Sequence, residues 1–321
     1  MNNRKNVPLL YIILVFLCIR FPVFGQESQV NFNTAGIVDW VRGELKATAG
    51  YNLAEAGLRL PTGRFMGEEI LKEAYPRLLR PYLLSLRVDS NSTVKTLLDR
   101  GELSLEELDG ISRNADAIPP ALSADLGTIH GAYTVFLDKI SAFLWRHKMI
   151  DPGNSAGTRQ NQASPLAIPL RPIPTADYTG IIIIADKELP IRGRMTQALA
   201  EPCLFPKIWD TEMNIIYDRN NFTPGLWNSG RDGPSVNMMV RYTVMDEIFK
   251  PTPSGLDGEL AALAGPYPLR ILTREIFGIS PTDLVIDRED ALKILSNENN
   301  RRLLYEGRVV IVLSNEMLTP R

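Results

Sequence analysis

The side chains best suited to chemistry are scarce in this sequence. It contains two histidines, His130 and His147, and two cysteines, Cys18 and Cys203. We predict that both histidines lie on one helix, 17 residues apart, a spacing that does not place them side by side as metal ligands. Cys203 stands in the apolar sequence Pro202–Phe205, which predicts a buried and unreactive thiol. These residues predict neither a metal site nor histidine catalysis.

The motifs that hold phosphate groups or activate a serine are absent. The sequence contains no Walker A loop, no GxGxxG after a strand and no GxSxG nucleophile elbow. We therefore predict no catalytic residue, no cofactor-binding residue and no cofactor.

Two stretches of the sequence contain carboxylates that could form a metal or catalytic site. Asp218 begins a sequence similar to a calcium loop, but Phe222 and Pro224 stand where oxygen ligands are needed. The acids in Asp287–Asp290 are better explained as the first turn of a helix than as a general acid and base. No metal-binding residue is predicted.

Exposed aromatic and basic residues are the remaining candidates for binding. The segment Lys187–Arg194 is basic and could meet an anionic group, or could be a solvated loop. Aromatic residues do not alternate with these bases, so nucleic-acid binding is not favoured. The candidate interaction residues, which accompany the loops 219–235 and 251–268, are Trp40, Lys187, Arg192, Arg194, Trp227 and Arg231.

The first 25 residues have the pattern of a secretory signal peptide. Arg4 and Lys5 precede an apolar run from Leu9 to Ile19, and Pro22 ends it. The run is too short to span a bilayer as a retained helix, and a cleavage site after Gly25 is predicted. A lipoprotein signal at Cys18 and a retained anchor are the alternatives. Export to the periplasm is the prediction.

The composition is that of an ordinary globular protein. Apolar residues make up 45% of the 321 residues and charged residues 22%, with a net charge of −2. Such a charge provides no general attraction to nucleic acid or to an anionic membrane. Cleavage after Gly25 would leave Cys203 as the one cysteine, so the mature protein would have no internal disulfide.

The N-terminal domain, residues 26–150, is predicted to be helix-rich with one opening strand. The alternating sequence Ile37–Ala49 predicts that strand. A helix is predicted over Met66–Arg87, with a kink or break at its two internal prolines. Shorter helices are predicted over Ser92–Arg100 and Ser104–Arg113, the second with a capping box formed by Ser104 and Glu107. The widest apolar stripe predicts a helix over Leu122–Trp145.

A linker and an α/β domain follow. Residues 151–174 are rich in Pro, Gly, Ser, Asn and Gln, which is typical of a linker. In the C-terminal domain, residues 175–321, the four isoleucines of Ile181–Ile184 predict a strand buried on both faces. A hairpin or a bulged strand over Lys207–Tyr217 and further strands predict a mixed sheet. A helix is predicted to run to Leu304, with Asp287 as its N-cap. The fold class is α+β.

Several segments resemble a known family. In order they are Tyr178–Asp186, Leu204–Asp210, Asp283–Ile286 and Arg308–Leu313, and Trp40–Ala49 is similar to the family's opening strand. They resemble periplasmic proteins related to flagellar assembly protein T and the small outer-membrane lipoproteins grouped with it. The lipid-attachment cysteine of the lipoproteins is missing here. The resemblance implies a non-enzymatic envelope protein, associated with a flagellar motor or an outer-membrane assembly.

Three functions follow as hypotheses. The first is an exported, non-enzymatic structural or interaction protein whose partners are other envelope proteins, with membrane contact only through partners or an uncleaved signal. The second is a periplasmic ligand-binding module, and the third is a hydrolase with carboxylate chemistry. An open sheet edge or an exposed apolar patch would favour the first. An enclosed cavity with converging polar groups would favour the others.

Overall fold

The computed structural model describes residues 32–150, 171–218 and 240–318, with the side chains of 146–150 left out. The first range forms an α+β domain around a four-stranded antiparallel sheet in the order β1-β2-β6-β5. Its elements are β1 (Phe32–Asp39), β2 (Glu44–Asn52), α1 (Thr62–Ser85), β3 (Arg87–Asp89), β4 (Ser92–Thr93), α2 (Val94–Asp99), α3 (Leu105–Arg113), β5 (Asp116–Leu122), β6 (Thr128–Phe136) and α4 (Leu137–Ile150).

The single opening strand predicted over Ile37–Ala49 is wrong, because the chain reverses within it. β1 and β2 form a hairpin whose turn contains Gly43 at φ 67°, in the left-handed region that glycine adopts readily. The side chain of Asp39 accepts a hydrogen bond from the backbone N–H of Arg42 (2.9 Å) and supports the turn. The apolar alternation continues through the turn, which is why it indicated one strand.

The helix predicted over Leu122–Trp145 is also wrong over most of its length. The structure has strands β5 and β6 there, and the helix α4 begins only at Leu137. Ile129 and Tyr133 are four residues apart, a spacing that fits a helical stripe, but it is also a multiple of the strand period of two. Both side chains are buried on one face of β6.

The helices on the buried face of this sheet agree better with the sequence. α1 continues through Pro76 and Pro81 as a single helix, so the chain does not break at these prolines. Its Tyr75 ring stacks on Tyr133 of β6, with centroids 4.4 Å apart. The capping box predicted at Ser104 and Glu107 is present at the start of α3.

The C-terminal domain is a mixed seven-stranded sheet in the order β11-β10-β14-β13-β7-β15-β12. A short 3-10 turn, Met245–Ile248, follows β12. The elements are β7 (Ile181–Ala185), β8 (Leu189–Pro190), β9 (Gln197–Ala198), β10 (Ile208–Asp210), β11 (Ile215–Tyr217), β12 (Arg241–Val244), α5 (Gly258–Ala264), β13 (Leu269–Phe277), β14 (Asp283–Ile286), α6 (Arg288–Leu295), α7 (Glu298–Tyr305), β15 (Val309–Leu313) and α8 (Asn315–Leu318).

The isoleucine strand has the predicted central place. β7 pairs in parallel with β13 on one side and β15 on the other. Ile182 packs with α5 on one face, while Ile181 and Ile183 join the main core on the other. A strand buried on both faces needs apolar side chains at every position, which is what the run of isoleucines supplies.

The helix predicted from Asp287 to Leu304 is interrupted. α6 ends at Leu295, and α7 begins anew after Asn297, whose side chain accepts hydrogen bonds from the backbone N–H groups of residues 299 and 300. Asp287 does not cap α6 with its side chain, and pairs instead with Arg274 of β13 (2.6 Å). Asp287 thus occupies the predicted N-cap position of α6 but makes no side-chain capping hydrogen bond.

The two domains share one core, although the sequence predicts a linker between them. Most of the predicted linker, residues 151–170, lies outside the described residues. Backbone N–H groups of Leu204 and Phe205 donate to the carbonyls of Arg87 (3.0 Å) and Val88 (2.8 Å), so a C-terminal segment lies along β3. Main-chain pairing of this kind fixes the domains against each other.

Candidate interaction surface

One edge of the N-terminal sheet is open. β1 is an edge strand, and within the described residues its backbone pairs with β2 alone. Residues 32–38 carry no charge and no proline, and the side chain of Ile37 is 42% exposed. An edge strand with free backbone N–H and C=O groups and no such protection is a template for pairing with another strand.

The opposite edge of the same sheet is protected. β5 contains Pro119 and Pro120, which have no N–H to offer, and its register is shifted between Ile118 and Ala121. These features discourage pairing at β5 even though Ile118 is 64% exposed. The sheet therefore has one blocked edge and one available edge.

Helix α1 packs on one face of the sheet and contacts the edge strand β1 through Tyr82. The ring of Tyr82 lies directly on Gly36, where a Cβ atom would be only 2.4 Å from the ring. The Tyr82 hydroxyl also hydrogen-bonds with the hydroxyl of Thr34 (3.3 Å). Because strand residues alternate, Thr34, Gly36 and Val38 all face α1. A strand added to β1 would therefore have Tyr82 on the same side of the sheet as every second one of its side chains.

A groove of about 220 Å³, which we call the anchor groove, lies at the Val38 end of β1, next to the end of α1. Helix α1 ends at Ser85, and the following residues turn into β3. Within its lining Arg87 forms an ion pair with Glu201 of the C-terminal domain (3.0 Å). The groove is lined by Val38, Trp40, Ser85, Leu86, Arg87, Glu201, Pro202 and Met317.

A second groove, of about 370 Å³, lies where Arg42 and Glu44 approach the start of α5. Its charges are of both signs, because Arg241 is beside Asp257 and other acids. Arg241 is already bound to Asp138 of α4 (2.7 Å), and Glu44 is paired with Lys46 (2.7 Å). The lining shows no set of polar groups aimed at one point.

The most perturbed carboxyl of the described residues lies between the domains. Asp283 is 1% exposed and accepts hydrogen bonds from Ser90 Oγ (3.1 Å), Trp209 Nε1 (3.2 Å), the Lys207 backbone N–H (3.3 Å) and Thr282 Oγ1 (3.3 Å). Burial raises its pKa to about 6, and the hydrogen bonds and the Lys207 charge offset part of that effect.

This geometry gives Asp283 a structural role. Ser90 belongs to the turn between β3 and β4, so its hydrogen bond connects the two domains, and Ser280 N donates to the carbonyl of Ser90 (3.0 Å) at the same place. A general acid or base must reach a substrate, whereas this carboxyl is covered and its oxygens are occupied. Asp283 therefore holds the β3–β4 turn in the C-terminal domain.

The predicted interaction residues do not form one site. Trp40 is 9% exposed and meets the ring of Tyr242 edge to face (5.8 Å), so it anchors the domains and lines the anchor groove. Lys187 is exposed after β7 and is not part of the lining of either groove. Trp227 and Arg231 lie outside the described residues.

The two predicted arginines support loops of their own domain. Arg192 forms an ion pair with Glu275 (2.6 Å) and donates to the carbonyl of Thr211 (2.8 Å). Arg194 donates to the carbonyls of Gly278 (3.1 Å) and Ile279 (3.2 Å). Their guanidinium groups are thereby engaged within the protein, which reduces what they can offer to an anionic partner.

The prediction of a buried thiol at Cys203 is confirmed. The residue is fully buried and unpaired, and burial raises the pKa of the thiol well above its usual value. In the described ranges no cluster of three His, Cys, Asp or Glu side chains could hold a metal ion. No helix in those ranges combines the length and apolar character needed to cross a membrane.

Sequence reasoning did not identify the open edge. The strand was predicted, but whether a strand lies at an edge depends on which strands pair, and that is a tertiary property. One signal was present: the consecutive prolines Pro119 and Pro120 could have marked β5 as a protected edge. The helix predicted over Leu122–Trp145 starts two residues after them, so the sequence pattern places them before a helix and not in a strand.

Comparison with known proteins divides the chain at the same place as its fold. Residues 32–143 match the family model described as the N-terminal domain of Treponema pallidum Tp0624. Residues 180–315 match the model of the second domain of that protein. No curated protein matches the chain. The chain thus carries, in the same order, two domains similar to the N-terminal and second domains of Treponema pallidum Tp0624.

Proposed function

We propose that the protein is an exported, non-enzymatic structural or interaction protein of the cell envelope, and that β1 pairs with an extended segment of a partner. The observation that carries this proposal is the contrast between the two edges of one sheet. β5 has prolines and a register shift, whereas β1 has neither and no charge before Asp39. Strand addition to such an edge is a common mode of protein recognition.

The position of Tyr82, the residue of α1 that contacts β1, supports the same proposal. A strand added to an isolated edge gains backbone hydrogen bonds alone, but here its side chains would also contact Tyr82 and the groove beyond Ser85. Main-chain bonds supply affinity and side-chain contacts supply selectivity. The surface therefore favours a protein partner over a small ligand.

The envelope location rests on the sequence. The basic start and apolar run before Pro22 support export, and the resemblance to proteins related to flagellar assembly protein T supports an envelope partner. The flagellar association stays a prediction. If export proceeds as proposed, the mature protein begins at Gln26, and N-terminal sequencing of the protein from an envelope fraction checks this. A mature chain that retains Met1 or begins at Cys18 would contradict cleavage after Gly25.

The edge is tested by adding a charge to it. Ala35 is exposed on β1, and the Ala35→Lys variant gives this edge a lysine, the residue with which natural edge strands oppose pairing with another strand. We expect crosslinking and mass spectrometry in envelope fractions to recover partner peptides at β1 of the wild type, with recovery falling about tenfold in the variant.

The matched control is Ile118→Lys, which places the same charge on the protected edge β5. We expect it to leave partner recovery unchanged, and thermal unfolding should show that both variants remain folded. Equal losses in both variants, or equal recovery in all three proteins, would rule out β1 as the recognition edge. Recovery of no partner above background would count against an interaction function.

A further inference from the structure

We infer that the contact between the β3–β4 hairpin (residues 87–93) and the C-terminal domain is a pH-operated latch, which is closed while Asp283 carries a proton and opens more often once Asp283 is ionised. This inference concerns the attachment of one domain to the other and does not depend on a partner at β1. It is carried by the position of Asp283, a buried carboxyl of the C-terminal domain that a side chain of the hairpin covers.

The tip of the hairpin lies directly on the carboxyl and on the loop 278–282 before it. Ser90 Oγ donates to Asp283 (3.1 Å), and the carbonyl of Ser90 accepts a hydrogen bond from the N–H of Ser280 (3.0 Å). Gly278 lies so close that a Cβ atom there would be 2.4 Å from the Cβ of Ser90. Separation of the hairpin from this loop would therefore bring water to Asp283.

The charges at this contact do not balance when Asp283 is ionised. Positive charge reaches Asp283 from Lys207, whose ammonium group already pairs with Asp218 (3.4 Å). Asp89 of the hairpin also acts on Lys207, so one ammonium group faces three carboxylates. A proton on Asp283 removes part of this excess of negative charge, which favours the protonated form while the contact is closed.

Other polar groups at the contact supply no further counter-charge. Arg87 of the hairpin pairs with Glu201 of the C-terminal domain (3.0 Å), and Cys203 remains a neutral thiol because burial raises its pKa. The four hydrogen-bond donors around Asp283 favour its ionised form, whereas removal from water disfavours that form. Burial has the larger effect, so the pKa of Asp283 is about 6 in place of 3.8.

Protonation of Asp283 and closure of the latch are thermodynamically linked. When the hairpin lifts, the carboxyl meets water and its pKa returns to the ordinary value of 3.8. The closed state therefore binds the proton more tightly than the open state. Closure is fully favoured below about pH 4 and weakens as the pH rises through about 6. These pKa values predict that the equilibrium constant for opening rises about fiftyfold between pH 4 and pH 7.

Cys203 can report the opening of the latch. Its thiol is fully buried and hydrogen-bonds with Thr282 of the loop 278–282. The two residues after it donate backbone hydrogen bonds to carbonyls of β3. In the chain from Gln26 onward it is the one cysteine. A thiol reagent therefore modifies the native protein only when the structure around this contact opens.

The test measures labelling of Cys203 by a pyridyl disulfide between pH 4 and pH 7 in wild type and in Asp283→Asn, the matched control. Each rate is divided by the rate for the same protein unfolded in urea, which removes the pH dependence of the thiol itself. We expect this ratio to rise about fiftyfold from pH 4 to pH 7 in wild type and to stay constant within about twofold in Asp283→Asn. Equal pH dependence in both proteins, or none in wild type, would overturn the inference.

The urea dependence of labelling separates the latch from global unfolding. Opening of one hairpin exposes little surface, so the labelling rate should hardly change with urea below the unfolding transition. If the pH-dependent labelling instead followed urea with the slope of global unfolding, Asp283 would act on the whole fold and the latch would be excluded.

Gly278→Ala tests the geometry without changing a titratable group. Gly278 has φ 113°, and its new Cβ would push against Ser90. We expect labelling at pH 4 to be at least about tenfold faster than in wild type, with little pH dependence left, because the carboxyl would already be in water. Circular dichroism checks that the variant is folded. A folded variant that is labelled as slowly as wild type would show that the hairpin does not control access, and would overturn the inference.

Discussion

The Asp283→Ala variant is expected to lower the free energy of unfolding by about 4 kcal/mol at neutral pH. The substitution removes a buried acceptor and leaves four donors without it, among them the indole of Trp209 and the backbone N–H of Lys207. Each buried donor left unsatisfied costs roughly 1–3 kcal/mol, although neighbouring costs are not additive. Because Ser90 is one of the four donors, attachment of the β3–β4 turn should weaken too. Chemical denaturation followed by tryptophan fluorescence measures the change.

Asp283→Asn is the matched control, since it keeps the shape and one acceptor oxygen. We expect it to be clearly less destabilising than Asp283→Ala. Protection from proteolysis near Ser90 and Ser280 should decrease in the alanine variant, because the Ser90–Asp283 hydrogen bond helps to hold those segments together. If the two variants lose the same small amount of stability, the carboxyl does not hold the domains together as described.

The same pair of proteins predicts a pH dependence. The pKa of Asp283 is raised from 3.8 to about 6 in the folded protein, so the folded state binds the proton more tightly than the unfolded chain. This stabilisation is therefore fully present below about pH 4 and is lost as the pH rises through about 6. The stability of wild type minus that of Asp283→Asn should fall by about 2 kcal/mol between pH 4 and pH 7. A difference that rises with pH would refute the raised pKa.

The second large effect is expected at Gly180, the residue before the isoleucine strand. A Cβ atom there would be 2.5 Å from the carbonyl oxygen of Ala264 and 2.6 Å from its Cα, both of which are backbone atoms. The end of α5 is held at this distance by Thr179, whose hydroxyl donates to the Ala264 carbonyl (2.8 Å). Since backbone cannot rotate away, Gly180→Ala should lower the free energy of unfolding by about 3 kcal/mol.

Gly110 in α3 supplies the control for Gly180. A Cβ atom at Gly110 would meet no other atom within 4 Å, and alanine is the better helix former. Gly110→Ala should therefore be neutral or stabilise by up to about 1 kcal/mol. If Gly180→Ala proved as mild as Gly110→Ala in chemical denaturation, the close approach of α5 to β7 would not be a constraint on the fold.

These two sites explain how the interaction surface is held in place. The anchor groove has walls from both domains, since Ser85 and Leu86 come from the first and Pro202 and Met317 from the second. Its shape therefore depends on the attachment near Asp283 and on the sheet that Gly180 helps to pack. A loss of either is expected to weaken partner binding without any direct contact to the partner.

Much of the C-terminal domain could be predicted from the sequence because its patterns are local. Four consecutive isoleucines specify a strand buried on both faces wherever the sheet lies, and the hairpin of β10 and β11 was visible as two short apolar runs. The capping box at Ser104 is equally local, since it connects residues three apart. In such cases neighbouring residues settle the structure by themselves.

Other features were open until the chain was folded. Ile129 and Tyr133 satisfy both a helical and a strand period, and pairing of β6 with β2 and β5 decided between them. Ser90 and Asp283 are 193 residues apart, so no local pattern could connect them. The α+β class and the central isoleucine strand could be predicted because both follow from apolar periodicity along the chain. That β1 is an available edge could be seen only in the folded protein, because an edge is defined by the strands that do not pair with it.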